Sequence, residues 1–491
     1  MRQPPDPRRM GWLIVATIVL GSLIGVGAGL LTLLLYGVEH VMLGYVEDAS
    51  MPGPFGVPAV RRAVSVTVGL AVAGVIWYLL RNKTAKVPSV KRAVAGERMP
   101  WWQTLVHVAL QIFIVGSGAS IGREVAPREL GAMLAQRFCD LLRIEGESGL
   151  DRRMVVAVAA GAGLGGVYDA PLAGMFFAVE VLLADVTIEK VAFALGMSAT
   201  AAFVASLVKG RHTFYDVTSM QPDYSVSLMA FALLCGAVCG VAGALFRKGS
   251  QWAGLHQTHD RHILWQMPLA GLVTGLAAFV VPQVMGNGRA AAQLGFGTFI
   301  PDATAAGASQ SASSAAASPW NLLASGPAGP AGAAVPPATA GFPLSQANLW
   351  AVAGVLALTF AAKALVTLMT MRSGASGGVL QPGIALGATL GAMLGLPWML
   401  AFPAETPVTC ALIGAAALLA ASQQAPLMAM SLVMELTSAP IAFFVPVGLA
   451  VAASAFVSQW LLGAMDGRGA AKRAGTVRVE PKAGGNAPAV A

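Results

Sequence analysis

GSGASIGREVAPRELGA, residues Gly116–Ala132, decides how the chain is read. It lies between apolar segments, yet it carries Arg123, Glu124, Arg128 and Glu129 beside four glycines and a proline. Glycine frees the backbone, so that several N–H groups can converge on one point, and Pro fits the first turn of a helix. A charged side chain at membrane depth is a functional hypothesis in its own right.

The surroundings establish that depth. Of the 491 residues, 56% are hydrophobic and only 11% charged, with a mean hydropathy of +0.69. Soluble domains hold about a quarter charged residues, so the class is integral membrane protein. Abundant Gly and Ala fit close helix packing in lipid. Few aromatics and no ten-residue alternation exclude the pattern of a β-barrel. The net charge of +8 is accounted for by topology and lipid contact, with no case for nucleic acid.

Apolar segments run over residues 11–36, 63–81, 103–118, 153–168, 171–184, 190–208, 225–246, 264–285, 347–371, 378–397, 407–421, 426–437 and 441–462. Several fall short of the ~20 residues that cross a bilayer perpendicularly. Short helices broken by Gly and Pro are tolerated at that depth where they line a cavity or pack in protein. The first segment is too long for a signal peptide's core. Arg8 and Arg9 before it, and Arg468, Lys472, Arg473, Arg478 and Lys482 after Leu462, place both termini in the cytoplasm, with an even number of crossings. The expected divisions are 1–10 as the cytoplasmic N-terminus, 11–250 as a first membrane half, 251–462 as a second, and 463–491 as a short cytoplasmic tail. Within the second half, residues 300–344 are mostly Ala, Ser, Gly and Pro and read as a low-complexity loop. The abundance of Ala and Gly points to a GC-rich bacterium, hence to its inner membrane.

The chain repeats itself. DAPLAGMFFAVEVL begins at Asp169 and QAPLMAMSLVMELT at Gln424; Pro171 and Glu180 recur as Pro426 and Glu435, each 255 residues on. The opening stretch has its own echo in SGASGGVLQPGIALGA from Ser373, where Gly377 and Pro382 follow Gly122 and Pro127 by the same 255. One offset joining two pairs of motifs indicates an internal duplication. Each half then has a Gly-rich turn feeding a helix. A helix N-terminus carries unpaired N–H donors and about half a positive charge. Two such ends meeting at the midplane make an anion site from backbone, and a site without a full counter-charge also lets the ion leave. At its mouth Glu124 has two readings: a carboxylate that competes with the anion for those donors, or a partner that satisfies Arg123 or Arg128. Glu129 is the rival carboxylate on another helix face.

GREVAP at 122–127, SGGVLQP at 376–382 and the paired Ala-Pro-Leu helices resemble the CLC family of chloride channels and proton-coupled chloride antiporters, over roughly residues 11–462. The resemblance implies an all-α integral membrane fold: an inverted-repeat bundle of many tilted and broken helices, assembled as a homodimer with one pathway per subunit. Chloride or another small anion is then the substrate, and no cofactor is implied. Glu124 becomes the gating, proton-accepting glutamate, and Gly122, Arg123, Glu124, Gly378, Val379 and Leu380 the anion site, with the N–H groups of Val379 and Leu380 as donors.

This sequence departs from the family pattern in four places. Val125 and Ala126 break the usual Gly-Arg-Glu-Gly-Pro, and Pro127 stands one residue late. The loop expected to bring a coordinating Ser holds Thr84-Ala85-Lys86-Val87-Pro88 instead, so Ala85 stands in the place of the Ser. The late coordinating Tyr has no counterpart in MDGRGAAKRA from Met465. Where antiporters of the family carry two consecutive acids, Glu-Glu, this chain has Glu180-Val181, which resembles channel members. Valine carries no proton, so passive conduction is favoured, with Glu180 or Asp185 as alternative proton relays. The stretch after Leu462 is too short for the nucleotide-binding domains of some family members.

Two clusters remain. The four cysteines, Cys139, Cys235, Cys239 and Cys410, read as small buried hydrophobes. HQTHDRH brings His256, His259 and His262 near Asp260, a weak metal pattern and otherwise a solvated loop at the membrane edge. A membrane enzyme would need a catalytic set, whereas Lys363, Arg372, Glu405 and Glu435 are the only charged residues between Gln346 and Leu462. A transporter of another solute on the same duplication remains the second reading.

Overall fold

The computed structural model describes residues 7–296 and 346–476, apart from 49–50, 143–149, 212, 218–219, 221–223 and 404. The low-complexity stretch 300–344 and the end of the tail, from residue 477, lie outside the described residues. In the first half, α1 is Pro7–Met42, α2 Ala59–Lys83, α3 Val90–Val94, α4 Trp101–Gly116, α5 Val125–Leu142, α6 Arg152–Tyr168, α7 Pro171–Leu183 and α8 Ile188–Lys209. The second half holds α9 Val226–Leu255, α10 Ile263–Val280, α11 Arg289–Gly295, α12 Gln346–Arg372, α13 Leu380–Ala401, α14 Pro407–Gln423, α15 Pro426–Thr437 and α16 Phe444–Thr476. Eight helical segments among the described residues are long and apolar enough to cross a membrane. The protein is thus an all-helical multi-pass membrane bundle.

Local chemistry sets the breaks. Asp151 accepts from the Arg153 N–H and starts α6. That helix ends at Asp169 in the left-handed region (φ 53°), and Pro171 opens α7 two residues later. The second half repeats the device: Thr406 caps α14 in a reciprocal capping box with Thr409, Gln424 ends it at φ 56°, and Pro426 opens α15. These caps satisfy groups that a helix end leaves orphaned. Leu380 follows Val125, Pro407 follows Arg152 and Pro426 follows Pro171, each as the first residue of its helix and each 255 residues later.

The two halves touch as symmetry mates. The carboxylate of Glu180 accepts the N–H groups of Leu427 (3.2 Å) and Met428 (2.9 Å) at the start of α15. That of Glu435 accepts those of Leu172 (2.9 Å) and Ala173 (2.8 Å) at the start of α7. Shifting either contact by 255 residues generates the other. A contact reciprocal in this sense implies a two-fold relation between the halves, and the fold is an inverted-repeat bundle.

At the centre, α6 is buried from Met154 to Tyr168 and α14 from Val408 to Ser422. Small residues let these helices approach their neighbours closely: a Cβ on Gly387 of α13 would lie 2.4 Å from the Gly414 carbonyl of α14. The outer helices turn Ile14, Ile18, Leu23, Leu30 and Phe203 outwards, as a lipid-facing wall requires.

Candidate functional site

The two Gly-rich turns meet. Gly122 and Gly378 exchange both backbone hydrogen bonds, N–H to O at 2.8 Å each way. Immediately beyond, α5 and α13 begin, at Val125 and Leu380. Two helix N-termini from opposite halves therefore start beside one two-residue bridge, and their positive ends are brought together.

Glu124 fills the space between them. Its side chain is fully buried, and Oε1 accepts the Leu380 N–H at 2.6 Å. Gly122 and Gly378 make room for it. A Cβ on Gly122 would sit 2.1 Å from Glu124 Oε2, and one on Gly378 1.9 Å from Oε1, so a larger residue at either place would displace the carboxylate from this position. Oε2 has no hydrogen-bond partner.

The nearby arginines are turned to other partners. Arg128 Nε donates to the Glu124 backbone carbonyl at 2.7 Å, and its guanidinium lies over the Phe177 ring. Arg123 Nη1 is 3.7 Å from Glu47 Oε1, and its guanidinium stacks on Tyr168 and Phe214. The alternative in which Glu124 merely neutralises Arg123 or Arg128 thus finds no hydrogen bond from either guanidinium to the carboxylate among the described residues. Val379 stands at the N-cap of α13 with φ −123° and ψ 8°, placing the next N–H, that of Leu380, at the carboxylate. Gly122, Glu124, Gly378, Val379 and Leu380 form one cluster, and Arg123 reaches away from it.

The other candidates occupy separate places. Glu180 is engaged in capping α15, as its repeat mate Glu435 is in capping α7. Asp185 is ion-paired with Lys190. Val181 is half-buried and packs against the core. Ala85 and Lys86 line a cavity of about 360 Å³ with Arg98, Trp101, Trp102 and Arg137, a basic pocket beside the end of α2. Glu129 is buried in α5; its Oε2 accepts from Gln111 Nε2 at 2.6 Å and lies 3.6 Å from His107 Nε2. The Trp77 indole, which can only donate, reaches His107 Nδ1 at 2.9 Å, so Nδ1 is the acceptor and the imidazole proton sits on Nε2, facing Glu129.

Among the described residues no group of three His, Cys, Asp or Glu side chains is placed to hold a metal. His256 bonds back to the Trp252 carbonyl and His262 pairs with Asp260 at 2.5 Å. Burial, with Arg81 and Lys86 nearby, holds the His259 imidazole below its usual range. The four cysteines are buried, with Cys235 and Cys239 sulfurs 3.8 Å apart.

A duplicated helical bundle with two helix N-termini from opposite halves beside a buried carboxylate defines a class, that of multi-pass membrane proteins built on an inverted repeat. The family model described as voltage gated chloride channel matches residues 68–459, and the chain belongs to that family. It is 25% identical, over 86% of its own length and 90% of the relative's, to the voltage-gated ClC-type chloride channel ClcB of Citrobacter koseri. Its fold is similar to that of a slow cyanobacterial Cl−/H+ antiporter (TM-score 0.67, 19% identity, 93% of this chain and 96% of the other). It is also similar to a CLC-type fluoride/proton antiporter (TM-score 0.59, 17% identity, 91% and 95%) and a eukaryotic CLC transporter (TM-score 0.62, 17% identity, 91% and 72%).

Proposed function

We propose that this chain moves a small anion, chloride in the first instance, across the membrane in exchange for protons, with Glu124 as the gate. One observation carries this: the Glu124 carboxylate lies between Gly122 and Gly378 with its Oε1 on the Leu380 N–H, where an anion would be held. Carboxylate and anion then exclude each other. Taking up a proton weakens the carboxylate's hold on a positive helix end and frees the donor. Anion entry and proton loss are thereby alternative events at one place, which is what exchange requires.

The valine at position 181 favours passive conduction, and the chloride channel named in Citrobacter koseri fits that second reading. Exchange is favoured by the gate geometry, and it agrees with the solved structures of this fold described as Cl−/H+ and fluoride/proton antiporters. With Glu180 committed to α15, Glu129 is the carboxylate that serves the inward proton path. It follows Glu124 on α5 and is linked through His107 and Trp77 towards the end of α2. The reading carries with it a homodimer with one pathway per subunit, lipid around the apolar helices, and an inner-membrane location with both termini cytoplasmic.

The test uses purified protein in chloride-loaded liposomes, with valinomycin and K+ supplying counter-charge. Chloride efflux and external pH are recorded together. Exchange gives chloride efflux with opposed proton movement that persists without a proton ionophore. Chloride efflux at constant pH establishes the channel reading. Absence of chloride efflux contradicts both.

A further inference from the structure

Where α2 ends and α4 begins, the surface folds into a basic pocket apart from the gate. The cavity of about 360 Å³ is lined by Lys86, Arg98 and Arg137, with Trp101, Trp102 and Gln103 beside them. The segment after α2, the first turn of α4 and the later turns of α5 build it together. Helices α1 and α2 are each long enough to cross the membrane once, so the end of α2 returns to the face on which the chain begins. The proposed topology makes that face cytoplasmic. Trp101 and Trp102 are exposed in the first turn of α4, and Leu105, one turn on, is exposed as well. An apolar strip thus runs from the pocket along α4. Tryptophans at the start of such a strip sit at the headgroup level of a bilayer.

The cations of the pocket outnumber their partners. Among the described residues no carboxylate lines the cavity. Arg98 shares Asp140 with Arg152, at 2.9 and 2.7 Å, and Glu97 is turned to Arg92 at 3.6 Å. Arg137 has only a long contact, 3.4 Å from Nη2 to the Met99 carbonyl. Lys86 is exposed and has no ion pair among the described residues. Gln103 lines the cavity and is more than nine-tenths buried, yet its side chain has no hydrogen bond among the described residues. Folded proteins leave few buried polar groups without partners. Pro100 stands at the N-cap of α4 and gives it no side-chain cap, so the first N–H groups of that helix are left over too. An ammonium, two guanidinium groups and a primary amide at a helix start supply donors and positive charge, which suits a phosphate. A soluble anion would need only those donors. The exposed indoles and Leu105 extend the site onto an apolar wall, which suits the glycerol and chains of a lipid.

We infer that Lys86, Arg98, Arg137 and Gln103 hold the phosphate of an anionic phospholipid from the leaflet on this face, with Trp101 and Trp102 against its glycerol and upper chains. Basic pockets between membrane helices are suited to such headgroups. Arg98 keeps donors to spare beyond its bond to Asp140. A zwitterionic lipid carries the same phosphate but adds an ammonium, which three cations around one cavity repel. The lipid then joins α2, α4 and α5 at one point. The inference stands whether the chain exchanges anions for protons or conducts them passively.

The probes are phosphatidylglycerol, phosphatidylcholine and inorganic phosphate, added to the full-length protein in detergent. Bound lipid is counted by native mass spectrometry, and the melting temperature is followed in parallel. The wild type is expected to bind phosphatidylglycerol on the order of tenfold more tightly than phosphatidylcholine, and to melt higher in its presence. Lys86→Gln and Arg137→Gln are each expected to weaken phosphatidylglycerol binding by about tenfold, the worth of one hydrogen bond to a charged group. Lys248→Gln removes a cation that pairs with Asp466 and does not line the pocket, and it is expected to leave binding unchanged. Equal affinity of the wild type for the two lipids, or no bound lipid at all, overturns the inference. A loss in Lys248→Gln as large as that in Lys86→Gln reveals diffuse surface attraction and overturns it too. Inorganic phosphate that raises the melting temperature as far as phosphatidylglycerol does assigns the pocket to a soluble anion, against the lipid. The lipid comparison is made on the wild type, so it decides the matter where a variant does not fold.

Discussion

Glu124 is a single acid whose position gives it a task. Fully buried, it rests on one backbone donor at 2.6 Å and leaves its second oxygen unpaired. That arrangement, one donor and one free oxygen, is what the proposed gate calls for. Gly378→Ala places a methyl group 1.9 Å from Oε1, so the carboxylate must leave its seat. The expected result is chloride flux that no longer rises or falls with pH, read as efflux from liposomes between pH 5 and 8. Glu129→Gln keeps a side chain of the same shape beside Gln111. Chloride efflux is expected to persist while protons moved per chloride fall at least tenfold, measured by recording both fluxes. At this scale the grouping of the candidate residues was legible, because the spacing of 255 residues marks Gly122 and Glu124 against Gly377 and Val379. Tyr168, Gln381 and Arg289 were not singled out from sequence. Only the folded chain brings Tyr168 and Arg289 to Phe214 and Gln381 to Tyr215. The available signal was a glutamine inside the apolar run VLQPGIALG.

The helices themselves follow the apolar pattern closely, and the exceptions have a physical cause. Residues 153–168 and 407–421 were read as segments, and the helices span Arg152–Tyr168 and Pro407–Gln423. Helix α5, Val125–Leu142, is expected from the Gly-rich turn that feeds it but is missing from the apolar segments, because Arg128, Glu129, Arg137 and Asp140 interrupt its hydropathy. Tertiary partners accommodate those groups: Gln111 meets Glu129, while Arg98 and Arg152 meet Asp140 at 2.9 and 2.7 Å. The seven-residue α11, Arg289–Gly295, is too short to show a period. Glutamates 180 and 435 belong to this scale, since each closes the other half's helix. Glu180→Ala and Glu435→Ala each leave two N–H groups at a helix start without their partner. Each is expected to cost on the order of 1–3 kcal/mol, seen as similar falls in thermal stability in detergent. Proton-to-chloride stoichiometry is expected to stay unchanged in Glu180→Ala, where a relay role predicts its loss.

In the whole molecule the duplication supplies what neither half has alone. The Glu124 side chain comes from the first half, and the donor it rests on, Leu380, from the second. The bridge between Gly122 and Gly378 and the exchanged caps at α7 and α15 bind the halves at two levels. A two-fold pair of broken helices aims two positive ends at one point inside a lipid-facing shell. The most direct test of the gate is Glu124→Gln, which keeps the size and removes the charge and the titration. Chloride efflux and proton movement are recorded together from liposomes across pH 5 to 8, beside the wild type. The predicted result is chloride flux that is independent of pH, with no proton movement coupled to it. An unaltered pH profile with undiminished proton exchange would contradict the assignment of the gate to Glu124.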